Sequence, residues 1–257
     1  MIKGVLKNIF LIKFLKNTVF LLRSHIVEKR FKGKAIVQSL KKIQPDSYNK
    51  YKNIREAEHQ IGRFLNMIKV AKEIDKLNLK GDIVEFGTWE GVGLHLIDMS
   101  FGKQTNRMLV GIDSFEGLPH SSSIWKKGSF SNTSLTSVEE YLDKSIINCH
   151  KGFSLIKGWY DDPSVRTSLY SKVSNVAAFH LDSDLGSSTN DALNIIEKYL
   201  INRKDPLFIM FDDWGCHADE VPDAFYEWKN HAEKVYNFKV EKFSSTNLTR
   251  YIKLFFE

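Results

Sequence analysis

His180-Leu181-Asp182-Ser183-Asp184 and Phe211-Asp212-Asp213-Trp214 gather four carboxylates into two short runs, each closing an apolar segment with strand character. While a chain stays extended, positions i and i+2 face the same way, so His180, Asp182 and Asp184 are expected to line one face of a cleft. If the two segments are neighbours in one parallel sheet, their carboxyl ends form the edge beyond which ligands bind. Four acids converging there repel one another unless a cation lies between them. Hard oxygen donors, few in number and with room left for water, suit Mg²⁺. A lone Asp at a strand end often does no more than cap the next helix, so the grouping carries the reading. His217 is a candidate base or ligand in the loop that follows, and His180 reads as a buried hydrogen-bonding residue.

A second run, Asp82-Ile83-Val84-Glu85-Phe86-Gly87-Thr88-Trp89-Glu90-Gly91-Val92-Gly93, reads as a buried strand, a glycine turn and a helix start. Gly87 permits a tight turn with positive φ. Glu85 lies among apolar neighbours, which is costly without a cationic or hydrogen-bonding partner. The spacing G-x-x-x-G-x-G is not the G-x-G-x-x-G of a dinucleotide binder, which argues against a nicotinamide-dependent oxidoreductase. The next apolar run ends at Asp113, 26 positions beyond Gly87. An acid there commonly accepts hydrogen bonds from ribose hydroxyls. Glu85, the glycine turn and Asp113 together favour an adenosine-type ligand with a cationic end, a description that S-adenosylmethionine meets. Trp159 and Tyr160 are candidates to stack on adenine or to pack in the core.

These groups need a frame. Strands are expected at 82–87, 108–113, 153–157, 176–182 and 207–212, with helices near 91–100, 136–146, 162–171, 187–201 and 219–232. A further helix over 53–78 carries apolar residues at helical spacing and leads into the first strand. Alternating strands and helices predict an α/β, Rossmann-like parallel sheet covered on both faces. The segments 235–243 and 248–256, joined by Ser244-Ser245-Thr246-Asn247, predict a C-terminal antiparallel hairpin, for seven strands in all. Residues 120–134, rich in Ser and Gly, are the candidate mobile loop over the site.

Composition narrows the classes. The 257 residues are 42% apolar and 26% charged, as in a soluble globular protein. Cys149 and Cys216 offer neither a disulfide framework nor a zinc spacing, so a reducing cytoplasm is expected. The net charge of +6 would suggest nucleic acid were it not concentrated in residues 1–34, which hold nine Lys or Arg against one acid and leave the remainder at −2. No nucleic-acid partner is therefore expected. Lys7, Lys13 and Lys16 break the apolar N-terminal stretch below the length of a membrane span. Residues 1–50 are expected to form a basic, apolar helical extension. It packs against the body or a second subunit of a homo-oligomer, or rests through 1–34 on the inner face of the membrane.

With these motifs in view, the chain resembles the macrocin O-methyltransferase (TylF-like) group of class I S-adenosylmethionine-dependent methyltransferases. The matching stretches are Val84-Glu85-Phe86-Gly87-Thr88-Trp89-Glu90-Gly91, Asp113-Ser114-Phe115-Glu116-Gly117-Leu118-Pro119, Lys157-Gly158-Trp159-Tyr160, His180 to Leu185 with Ser188-Thr189, and Phe211-Asp212-Asp213-Trp214-Gly215. They lie in family order over roughly residues 80–230. The resemblance implies a class I methyltransferase domain over 51–257 that transfers a methyl group to a sugar hydroxyl, with Mg²⁺ held by Asp182, Asp212 and Asp213. It implies Asp184 as general base, with His217 as the alternative. Cofactor contacts are implied for Glu85, Gly87, Thr88, Gly91, Asp113, Ser114, Gly158, Trp159 and Asp182. The chain departs from the family in having Gly186 where Tyr is usual and Asn202-Arg203-Lys204-Asp205-Pro206 in place of a Pro-Gly-Gly turn. Two rival readings are a catechol or small-metabolite O-methyltransferase, and a non-catalytic methyltransferase-fold binding module.

Overall fold

The computed structural model describes residues 54–214, 220–243 and 249–256. Among these, one seven-stranded sheet carries the architecture. The strands β1 (Asp82–Phe86), β2 (Leu109–Asp113), β3 (Phe153–Lys157), β4 (Val176–Leu181) and β5 (Leu207–Phe211) are parallel. Strands β6 (Phe238–Phe243) and β7 (Arg250–Phe256) form the antiparallel hairpin, and the order across the sheet is β3-β2-β1-β4-β5-β7-β6. The turn joining β6 to β7 lies outside the described residues. The direction of winding reverses between β1 and β4, which is the position where open α/β sheets bind ligands.

The strands form because their residues suit burial on both faces: β1, β4 and β5 are buried along their whole length. Alternate residues make one side of the core, with Val84, Phe86, Phe179, Leu181, Ile209 and Phe211 packed in a single cluster. Helix α1 (Ile54–Lys76) precedes the sheet in sequence, and around the sheet stand α2 (Val92–Phe101), α3 (Leu135–Ser145), α4 (Pro163–Lys172), α5 (Gly186–Ile196) and α6 (Glu220–Tyr236). Their ends obey local chemistry. Ser134 and Ser137 form a capping box at the start of α3, while Asp162 caps α4 with Pro163 in its first turn. Gly91 and Gly102, both left-handed, bracket α2.

Two expected boundaries move. The helix expected over 187–201 ends as α-helix at Ile196 and tightens into a 3₁₀ turn, Glu197–Tyr199. The strand expected from 235 starts only at Phe238, because α6 runs on to Tyr236. Asn237, at φ 49°, supplies the left-handed stop that the alternating pattern around Val235 concealed. The sheet and the helices that follow it in sequence lie within the compact unit Asn66–Glu257. The expected N-terminal extension over 1–50 lies outside the described residues. Among those described, no helix is long and apolar enough to cross a membrane.

Candidate active site

Three strand ends meet at the turn after β1. Gly87, at φ 87°, donates its N–H to the Ile112 carbonyl at 2.9 Å, and Asp182 donates to the Phe86 carbonyl at 2.9 Å. A Cβ on Gly87 would stand 1.7 Å from the Asp182 carbonyl oxygen, so the turn and the end of β4 touch backbone to backbone. The turn continues through Thr88 and Trp89, and Gly91 closes it by donating to the Thr88 carbonyl at 2.7 Å.

Asp113 holds this turn from the neighbouring strand. Its carboxylate accepts the N–H of Trp89 at 2.8 Å and of Phe115 at 2.7 Å, with a further backbone bond from Thr88. Burial raises the Asp113 pKa, and these backbone donors pull it the other way. Trp89 and Phe115 both adopt left-handed backbone, at φ 43° and 54°, which non-glycine residues rarely do. Ser114 fastens the next turn: its hydroxyl donates to the Gly117 carbonyl and accepts the Glu116 N–H. The Gly158 N–H donates to the Asp113 carbonyl at 2.9 Å, and a Cβ on Gly158 would press within 2.5 Å of Val165. Trp159 is half-buried. Tyr160 packs its ring edge-on against Phe86 at 5.2 Å. Burial and the nearby carboxylates of Asp113, Asp182, Glu85 and Asp184 raise its hydroxyl pKa.

Glu85 has the buried partner its apolar surroundings called for, and His180 is the buried hydrogen-bonding residue expected of it. Both are fully buried, and His180 Nδ1 lies 2.9 Å from Glu85 Oε1 across the β1–β4 pair. A Cβ on Gly93 would come within 1.9 Å of the same oxygen, so the start of α2 seals the carboxylate from above. Glu85 is thus enclosed by His180 and the start of α2. His180 is buried beside it, while Asp182 and Asp184 stand at the cleft. Removing one member of such a contact leaves the other's polar atom buried without it, so His180→Ala is expected to cost about 2–3 kcal/mol. Urea unfolding of the variant measures this, and a loss below about 0.5 kcal/mol would contradict it.

Beyond these strands the acids converge. Asp182, Asp184 and Asp213 each offer a carboxylate oxygen within 4.8 Å of the others. The adjacency of β4 and β5, with Leu181 beside Phe211, brings the two runs together. The grouping differs from expectation in one member. Asp212 is buried at 2% exposure, its N–H bonds the Leu181 carbonyl at 3.0 Å, and its carboxylate is not in the triad. Asp184 is in the triad because β4 ends at Leu181 and the chain turns through Asp184 at φ 56°. Backbone strain of this kind costs about 1–3 kcal/mol and persists only where surroundings enforce it. Here Ser183 and Thr189 share a hydroxyl contact of 2.9 Å, and Thr189 also bonds the Leu185 carbonyl. His217 lies outside the described residues.

The loop expected to be mobile is folded onto the site. Leu118 and Ser129 are joined by a backbone bond of 2.9 Å, as are Gly128 and Leu118. Phe130 packs edge-on between Trp89 (5.3 Å) and Trp125 (4.8 Å). Asn132 meets the Trp89 indole N–H at 3.3 Å, and His120 meets Ser187 of α5 at 3.1 Å. The loop thus reaches from the end of β2 to the start of α5. Sequence reasoning missed His120, Asn132 and Ser187 as site-end contacts. The signal present was Trp125 and Phe130, two aromatics in an otherwise small and polar loop.

Residues 55–239 match the family model for macrocin O-methyltransferase (TylF). The chain belongs to that family. It is thereby an S-adenosylmethionine-dependent O-methyltransferase, as the resemblance implied. Solved structures agree on the fold. The O-methyltransferase NovP superposes with a TM-score of 0.57 at 19% identity, over 74% of this chain and 78% of that one. The calicheamicin methyltransferase CalS11 gives 0.58 at 16% identity, over 89% and 94%, and its apo structure, described as a TDP-rhamnose 3′-O-methyltransferase, gives 0.52 at 16%, over 89% and 96%. The O-methyltransferase from Bacillus cereus, in complex with SAH, gives 0.50 at 9% identity, over 75% and 81%. No curated protein sequence matches the chain. The turn after β1 and Asp113 lie within the matched residues, as does the triad.

Proposed function

We propose that this TylF-family enzyme methylates a hydroxyl of a sugar, on a glycan or a glycosylated metabolite, with Mg²⁺ at the acidic triad. The single observation that supports the metal is the approach of three carboxylate oxygens to within 4.8 Å, since a cation between such hard donors relieves their mutual repulsion. The cofactor end fits as well. The Asp113 carboxylate is fixed by backbone donors and keeps lone pairs for ribose hydroxyls. The Thr88 hydroxyl is buried with no hydrogen-bond partner among the described residues, a polar atom suited to a bound ligand.

Bound S-adenosylmethionine supplies an already electrophilic methyl group, and a divalent ion lowers the pKa of an oxygen it binds. The protein's own part is alignment and proton removal. Asp182, Asp184 and Asp213 would hold the ion. Asp182 also bonds the turn after β1 through its main chain, so one residue would serve both the cofactor turn and the ion. Asp184, beside the ion site, is the residue we assign to take the acceptor's proton. The folded loop over 114–134 shields this end of the sheet from water. The sugar acceptor rests on the family and on the relative described as a TDP-rhamnose 3′-O-methyltransferase. The same reading makes the enzyme cytoplasmic, with residues 1–34 serving membrane contact or self-association rather than chemistry.

Asp113→Ala tests the cofactor half. It frees three backbone donors and the ribose contact, and is expected to weaken S-adenosylhomocysteine binding by about 1–3 kcal/mol, or roughly 5- to 150-fold. Calorimetry decides: wild-type affinity in the variant would remove Asp113 from the site. Absence of binding by the wild type would overturn the cofactor assignment itself.

A further inference from the structure

The opposite end of the sheet carries a second cleft, where β4 and β5 begin. Its volume is about 590 Å³, and its lining includes Tyr170, Tyr199, Lys198, Arg203, Lys204 and Asp205. That volume lies within the range of small-molecule sites. It faces away from the acidic triad, and nothing in methyl transfer uses it.

The lining presents donors and rings. Arg203 is anchored by its Nε to the Asp205 carbonyl at 2.8 Å and by Nη2 to the carbonyls of Val176 and Pro206 at 2.8 and 3.0 Å. These bonds use neutral acceptors and leave both N–H groups of Nη1 without a partner among the described residues. Burial lowers the Arg203 pKa to about 10, against a raising influence from Asp205, so the guanidinium stays charged at neutral pH. Lys198 and Lys204 add two exposed ammonium groups, and Asp205 is the lone acid of the lining. The hydroxyls of Tyr199 and Tyr170 donate to the carbonyls of Val173 and Ile195 at 3.0 Å each. The two rings meet edge-on at 5.8 Å and form an aromatic wall.

A cation held in place by carbonyls alone, with one edge of its fork open, is prepared for an anion rather than saturated by its own loop. An aromatic wall beside it suits a flat group on the same ligand. We propose that this cleft binds a phosphorylated small molecule of nucleotide size, with its phosphate on Arg203, Lys198 and Lys204 and its ring system against Tyr170 and Tyr199. The site is independent of the methyltransferase reading, since it lies at the other end of the strands.

The test uses the full chain with its cofactor cleft saturated by S-adenosylhomocysteine and ADP as the probe, at constant ionic strength. Saturable ADP binding is expected, displaced by inorganic phosphate. The Lys198→Ala/Lys204→Ala double variant should weaken it by at least about tenfold, as loss of two charge-assisted contacts implies, with S-adenosylhomocysteine affinity unchanged. Arg203→Lys, which keeps the charge but not the fork, should also weaken it, and thermal unfolding of that variant shows whether the loop still holds. ADP binding that vanishes once S-adenosylhomocysteine is present would overturn the proposal, because the probe would then sit in the cofactor cleft. Equal ADP affinity in the double variant, or adenosine binding as tightly as ADP, would overturn it too.

Discussion

Asp182→Ala, Asp213→Ala and Asp184→Asn are each expected to reduce Mg²⁺-dependent methyl transfer by at least about 10²-fold, the scale for losing a preorganised charge in a reaction site. The informative comparison is metal affinity. The structure brings a carboxylate oxygen of Asp184 together with those of Asp182 and Asp213 and leaves Asp212 outside the group. Asp184→Asn is therefore expected to weaken Mg²⁺ or Mn²⁺ binding as Asp213→Ala does, while Asp212→Asn changes it little. The family pattern implies the reverse, with Asp212 a ligand and Asp184 a base alone. Calorimetric titration of the metal into all four variants separates the two without an acceptor. If Asp184→Asn binds metal like wild type and Asp212→Asn does not, the triad assignment fails and the family pattern holds. Full activity after exhaustive chelation would remove the metal from the reaction altogether.

Gly87→Ala should be the most damaging small substitution in the described chain. Two independent penalties coincide. A residue with a Cβ is strained at φ 87°, and that Cβ would lie 1.7 Å from the Asp182 carbonyl oxygen, a backbone atom with no free rotation. Relief requires β1 and β4 to part at the point where Asp182 bonds the Phe86 carbonyl. The expected loss is about 3–5 kcal/mol, with cofactor and metal binding both impaired because Asp182 belongs to both ends of the site. Denaturant unfolding together with S-adenosylhomocysteine and metal titrations checks it. A variant within about 1 kcal/mol of wild type that binds both ligands normally would show that the turn relaxes by another route.

Much of this was readable from residues alone, for identifiable reasons. The runs Ile83-Val84, Val176-Ala177-Ala178-Phe179 and Leu207-Phe208-Ile209-Met210-Phe211 are apolar on both faces, and only a strand inside a covered sheet uses such a pattern. Gly87 and Asp113 were legible because their chemistry is local to a turn and a strand end. The partnership of His180 with Glu85 was not, because it joins residues 95 apart whose meeting depends on the register of β4 against β1. The convergence of Asp182, Asp184 and Asp213 was legible as two acidic runs on neighbouring strands, whereas the path that carries Asp184 there was not, because the chain leaves β4 and turns left-handed at Asp184. Asn237 ended α6 in the same way, with a backbone choice that hydrophobic alternation does not encode. Residues 120–134 read as a mobile loop from composition alone, and their contacts with distant Trp89 and Ser187 lay beyond that signal.

The position of β7 between β5 and β6 has a consequence for biosynthesis. β5 is wholly buried in the finished sheet, yet one of its edges is covered only by β7, some forty residues later in the chain. A nascent chain leaving the ribosome can pair β1 to β5 in order of emergence, but it then presents an apolar strand with an open row of backbone donors and acceptors. That edge is a template for another chain until Arg250–Phe256 has emerged and slotted in. Stalled or prematurely terminated products should therefore be aggregation-prone and chaperone-dependent, even though every residue of the turn after β1 and of the acidic triad has already been made.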